Sequence, residues 1–187
     1  MDRAQEILDF WFLPEDHPDY GKPRAIWFEK NPAFDAEIRD RFLADFEKAA
    51  AGEYLDWTES AKGSLALILL FDQFSRNMFR DTARAFATDG KAREIARHMI
   101  ETGFYDALGT FQKQFAALPF EHSEDIEDQK LSIDLFREIG DAVAFDYAEK
   151  HYLIIERFGR FPHRNKQLGR ETTPEEAAFL TEPNSSF

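Results

Sequence analysis

Apolar residues recur along this chain at spacings of three and four, and strict alternation is hard to find, so the pattern predicts helices rather than strands. A first helix is expected over residues 4–12, with Asp2 and Gln5 at the spacing of a capping box. Residues 13–31 hold three of the eight prolines and read as a long ordered loop anchored by Trp27 and Phe28. Asn31 and Pro32 then open a helix as cap and first-turn proline, and Phe34, Ile38, Phe42 and Phe46 mark its buried side. A third helix over 58–78 carries an unbroken apolar run, 65–71, and is expected to be central because it is apolar almost all round. A fourth covers 88–101 and ends at Gly103.

The stripe Phe104, Leu108, Phe111, Phe115 and Leu118 predicts a fifth helix stopped by Pro119. Ser123 is placed to cap a sixth, 124–139, and a seventh over 141–158 ends at Gly159. Thr173, Pro174 and Glu176 combine a capping box with a first-turn proline and start a short eighth. The expectation is an all-α chain forming one domain over 1–187, with about eight helices and short connections.

Composition sharpens this. Twenty phenylalanines in 187 residues imply a largely aromatic core. A net charge of −13 argues against nucleic-acid binding, which needs a broad basic surface. The absence of cysteine removes disulfides, Cys–zinc sites and thiol chemistry. The first residues lack the basic-then-apolar order of a signal peptide. The seven-residue apolar run falls well short of the roughly 20 residues a membrane helix needs. A cytoplasmic protein without a membrane partner is expected; the oligomeric state is left open.

Against that acidic background one segment has a single sign. Between Glu156 and Glu171 stand Arg157, Arg160, Arg164, Lys166, Arg170 and His163, with no carboxylate among them. A solvated face normally mixes its charges, so this loop either neutralises internal acids or holds an anion. Pro162 restricts the residue before it to an extended shape, and a strand-like loop there would present the forks of Arg160 and Arg164 to a carboxylate or phosphate.

Three further polar anomalies stand out. Leu65 and Leu69 define a stripe that continues into Asp72 and Arg76, and Ala66 and Leu70 one that continues into Gln73 and Asn77. Polar groups on such faces must find partners, either each other, as an Asp72–Arg76 ion pair with an amide pair beside it, or a ligand. Glu121 and His122 sit at a helix–helix corner, where a carboxylate can orient an imidazole for acid–base work or the pair can simply hold the corner. His151 belongs to an apolar stripe with Ala148 and Ile155 and reads as a core histidine. Its twelve-residue distance from His163 matches no zinc spacing, and no metal or other cofactor is expected. No phosphate-binding glycine loop and no G-x-S-x-G elbow occurs.

The strings Asp72–Asn77, Pro119–Glu124, Phe158–Asn165, Leu168–Arg170 and Thr172–Glu176, in this order, resemble the hallmark strings of an uncharacterised bacterial family, domain of unknown function 924. The resemblance spans nearly the whole chain. It implies a fold similar to tetratricopeptide-repeat (TPR) superhelices, in which stacked helix pairs leave a groove; the 34-residue TPR consensus itself is missing. It also implies that the polar members of those strings form a site, and that Phe187 docks in a pocket.

Three functions follow as expectations, in this order. The first is a helical groove binding a small anionic ligand or acidic peptide end through Gln73, Arg76, Asn77, Arg160, Arg164, Asn165 and Arg170. The second is a metal-independent hydrolase or lyase using Glu121 with His122 or His163. The third is a purely structural polar network.

Overall fold

The structure, a computed structural model, describes residues 2–183 together with 185 and 186; the expectation for Phe187 falls outside them. The regular structure of the described residues is all helical, with no β-strand among them. In chain order the helices are α1 (Arg3–Phe12), α2 (Pro32–Ala51), α3 (Ala61–Ile68), α4 (Ser75–Met78), α5 (Asp89–Glu101), α6 (Thr110–Glu121), α7 (Ile126–Ile139), α8 (Ala142–Phe158) and α9 (Pro174–Phe179). None is long and apolar enough to cross a membrane. Contacts group the chain into two compact units, Met1–Arg80 with Arg84–Pro119, and Asp81–Ala83 with Phe120–Phe187.

The first unit has an aromatic core. Phe34, Ile38, Phe42 and Phe46 of α2 are all buried, as their spacing predicts. Phe10 stacks on Phe34 with ring centroids 5.3 Å apart, and Trp11 and Trp27 meet Phe115 edge-on at 5.4 and 4.9 Å. Each such pair contributes about 0.5–1.5 kcal/mol beyond the area it buries. Trp27 anchors the long loop, its indole N–H donating to Trp11 O at 2.9 Å, whereas Phe28 is 74% exposed and meets the Trp27 ring edge-on at 6.2 Å. Gln5 does not complete a capping box but turns to Asp9 at 2.7 Å.

The central rod starts at Ala61 rather than at 58, because Leu55–Glu59 forms a 3-10 turn and Ser60 caps the helix by accepting from Gly63 N. Gly63 is required there: a Cβ would come within 2.3 Å of Trp57 O. Between α3 and α4 the rod widens into a π-helical stretch, Leu69–Phe74. The hydroxyls of Ser75 and Thr88 both donate to Phe71 O, each at 2.7 Å, and so occupy a carbonyl that the changed ladder exposes.

In the second unit α7 and α8 are joined by two residues. Gly140, at φ +78°, ends α7 in the left-handed region open to glycine, and Asp141 caps α8 through Val143 N and Ala144 N. Ile154, Ile155, Phe161 and Phe179 form its apolar core. Thr173 and Glu176 complete the predicted capping box of α9.

Candidate functional site

The corner between α6 and α7 differs from its sequence-based reading. Pro119 does not stop α6, which continues to Glu121, and its fifth-helix stripe begins late because Tyr105–Ala107 is a separate 3-10 turn. A proline this near a helix end forfeits one backbone hydrogen bond, and the following residues keep helical geometry. Asp125, not Ser123, caps α7. Ser123 accepts from Asp125 N and donates to Asp128 Oδ2 at 2.7 Å. The carbonyls at and just beyond the end of α6 are held by Gln129, whose amide donates to Glu121 O at 2.6 Å and Ser123 O at 2.7 Å, and by Arg164, whose Nη1 donates to His122 O at 2.9 Å. With its backbone fixed in this way, the corner presents the side chains of Glu121 and His122.

His151 of α8 reaches the same place. It is buried, as its stripe predicts, and its Nδ1–H donates to Tyr147 O at 2.8 Å. That bond places the imidazole lone pair on Nε2. Glu121 Oε1 lies 3.3 Å from His151 Nδ1, and the rings of His122 and His151 are 6.1 Å apart. One ligand atom from each of Glu121, His122 and His151 lies within 4.8 Å of the others. Burial pushes His151 down to about 3, with His122, Arg164 and His163 adding in the same direction against the Tyr147 carbonyl. Burial likewise takes His163 down to about 4, helped by Arg164 and opposed by Glu124. The centre therefore offers the neutral imidazole of His151 beside Glu121, and the half-exposed His122 gives it a solvent side.

The basic loop is not strand-like beyond Phe161, whose N–H donates to Glu124 Oε1 at 2.8 Å; Pro162–Arg164 is a 3-10 turn. A proline's fixed φ suits the first position of such a turn as well as an extended segment. Arg170 forks onto both oxygens of Glu124 at 2.7 and 2.9 Å. Burial raises the Glu124 pKa, but the Arg170 bonds and the Phe161 N–H outweigh it and leave the group below its usual range. Arg160 grips Glu176 at 2.6 and 2.9 Å, and Asn165 donates to the same carboxylate at 3.2 Å. Arg160 first, then the Thr173 N–H, holds Glu176 down at about 2. Arg164 is buried against the Phe161 ring, 4.4 Å from its centroid.

Gln73, Arg76 and Asn77 belong to the first unit. Arg76 bridges Asp72 and Asp89, each at 3.0 Å, and Gln73 donates to Asp72 at 2.6 Å. Burial pulls the Arg76 pKa down, but Asp72 and Asp89 together raise it. The expected ion pair is present; the expected amide pair is not, because Asn77 donates to Asp35 at 2.7 Å beside Arg80. Thus Glu121, His122, His163 and Arg164 share one region of the second unit, and Arg160, Asn165 and Arg170 form carboxylate networks nearby in the chain. What the spacing of histidines missed is His151 as the third member of the centre, and Glu124, Glu176, Asp35 and Asp89 as partners of the arginines.

Comparison with curated proteins returns no match. A family description, bacterial protein of unknown function (DUF924), matches residues 7–184. A solved structure of a protein of unknown function from Agrobacterium tumefaciens is 45% identical, covers 95% of this chain and 96% of its own, and superposes with a TM-score of 0.85.

Proposed function

The chain belongs to the DUF924 family of bacterial proteins of unknown function, and we propose that its second unit is a metal centre in which Glu121, His122 and His151 hold a divalent first-row transition ion of the zinc type. The observation that carries this reading is the triangle of ligand atoms within 4.8 Å, built from two imidazoles and a carboxylate. Two His and one Glu with an open position is a ligand set suited to catalytic zinc. Bonds of about 2.0–2.1 Å require the triangle to contract, and rotation of the half-exposed His122 supplies that movement. With Nδ1 bonded to the Tyr147 carbonyl, the reading requires His151 to bind through Nε2, the arrangement in which a carbonyl on one ring nitrogen orients the other toward an ion. The chemistry such an ion contributes is Lewis acidity and activation of water, which makes hydrolysis the reaction class.

The anion-binding reading draws less support from its own residues, because Arg76, Arg160 and Arg170 each grip internal carboxylates. Those contacts favour a structural part for the three. A second reading of the centre, an acid–base pair without metal, is favoured by the 3.3 Å approach of Glu121 to His151. The α7–α8 hairpin is the element that supports a TPR-like reading of the fold.

Protein purified without a histidine tag and analysed for metals tests the proposal. About one equivalent of zinc, lost in His151→Gln and in Glu121→Gln while both variants keep their helical circular dichroism, is expected. No zinc uptake by the folded wild type would overturn the metal reading, and chelator-resistant turnover lost in Glu121→Gln would establish the metal-free pair.

A further inference from the structure

A cleft of about 610 Å³ opens in the first unit, with Phe10, Phe34 and Ile26 among its walls. That volume is in the range of small-molecule sites. Two charged groups in its lining are distinguished by what they lack. Arg24, half-buried, donates through Nη1 to the carbonyls of Phe10 at 2.8 Å and Trp11 at 2.5 Å, and meets no carboxylate among the described residues. Asp9, also half-buried, accepts from the Gln5 amide and meets no cation among them.

The remaining charges of the cleft are already matched. Glu6 pairs with Arg3, and Glu37 pairs with Arg41, whose guanidinium lies over the Phe10 ring at 4.6 Å. Burial alone acts on Arg24, pulling its pKa down, so no internal anion offsets its desolvation. Arg24 keeps Nε and Nη2, the edge of the guanidinium that forks onto a carboxylate. Leu13, also in the lining, is held at φ +72°, ψ 157°, a conformation that side chains other than glycine rarely adopt. Strain of this kind collects where a fold shapes a ligand site.

We propose that this cleft binds a zwitterionic amino acid with an apolar side chain, its carboxylate on Arg24, its ammonium on Asp9 and its side chain against Phe10 and Phe34. A simple anion would find Arg24 but also the uncompensated Asp9; a simple amine would meet the reverse. A ligand carrying both signs answers both groups, and the aromatic wall selects an apolar body. This site stands apart from the metal reading and depends on none of its residues.

Calorimetric titration with L-phenylalanine and L-leucine, followed by 3-phenylpropionate and phenethylamine, tests the assignment. At least one of the two amino acids should bind saturably, and each single-charge analogue about tenfold more weakly or worse, a difference of about 1.4 kcal/mol. Arg24→Gln should abolish binding. Because Arg24 also caps the last carbonyls of α1, Asp9→Asn serves as the second variant, and it should erase the preference for phenylalanine over 3-phenylpropionate. Binding of neither amino acid by the wild type, binding of 3-phenylpropionate as tight as phenylalanine, or unchanged discrimination in Asp9→Asn would overturn the proposal.

Discussion

One cluster in each unit shows a different way of burying charge. In the first, Asp72 is wholly enclosed, and the carboxylates near it are answered by guanidinium groups: Asp72 and Asp89 by Arg76, Asp35 by Arg80. Three carboxylates there face two guanidinium groups, and the contacts serve packing. In the second, Glu121 lies against His151, a titratable ring that burial keeps neutral, with His122 completing the cluster. A guanidinium only donates to its carboxylate, while a neutral imidazole can both donate and accept. On the reading proposed above, similar burial stabilises the fold in one place and assembles a ligand set in the other.

Removing the cation is the harshest way to probe this contrast. Arg76→Met leaves Asp72 and Asp89 without their bridge and should cost about 3–5 kcal/mol in urea denaturation, as expected for a broken buried pair. A loss under about 1 kcal/mol would mean that the first unit's network is not structural in this sense.

Next comes the zinc response. At a hundredfold excess over Kd the wild type should gain about 2.7 kcal/mol, measured as raised resistance to urea, and His151→Gln should gain nothing. An equal gain in both proteins would place the zinc elsewhere. Asn77→Ala sharpens the first half of the contrast with a smaller step. It deletes one of the bonds to Asp35 while Arg80 keeps its hold on both oxygens, so about 0.5–1.5 kcal/mol should be lost in the same assay.

The subtlest effect is in acid. Glu176 sits at about 2 in the fold, below an ordinary value of 4.5, so its ionised form stabilises the protein fully above 4.5. That contribution fades as pH falls toward 2. The stability gap between wild type and Glu176→Gln should therefore be constant near neutrality and narrow across that window. A gap that stays flat down to pH 2 would show that Arg160 does not hold this carboxylate ionised.

Helix periodicity exposes most of the fold because burial of a 3.6-residue stripe leaves its mark directly on sequence, as Phe34 through Phe46 illustrate. Boundaries were harder to read. Pro119 is tolerated inside the last turn of α6, and Asp125 outcompetes Ser123 as a cap because Ser123 is drawn to Asp128. The site was legible in part. Glu121, His122, His163 and the loop arginines stand out as polar residues in unusual places. Their partners do not, since Glu124–Arg170 spans 46 positions and Arg160–Glu176 spans 16, and such pairings are set by packing rather than by spacing. His151 carried one signal, a lone imidazole on an apolar face, and that signal alone cannot separate a satisfied core residue from a ligand. Arg24 had none at all, because its isolation from acids exists only in three dimensions.

The central claim, that Glu121, His122 and His151 form a metal site, is tested most directly by anomalous diffraction at the zinc edge from crystals grown with zinc. A peak about 2.0–2.2 Å from a nitrogen of each histidine and an oxygen of Glu121 is the predicted result. A map in which the triangle stays empty while zinc occupies other positions on the protein would contradict it.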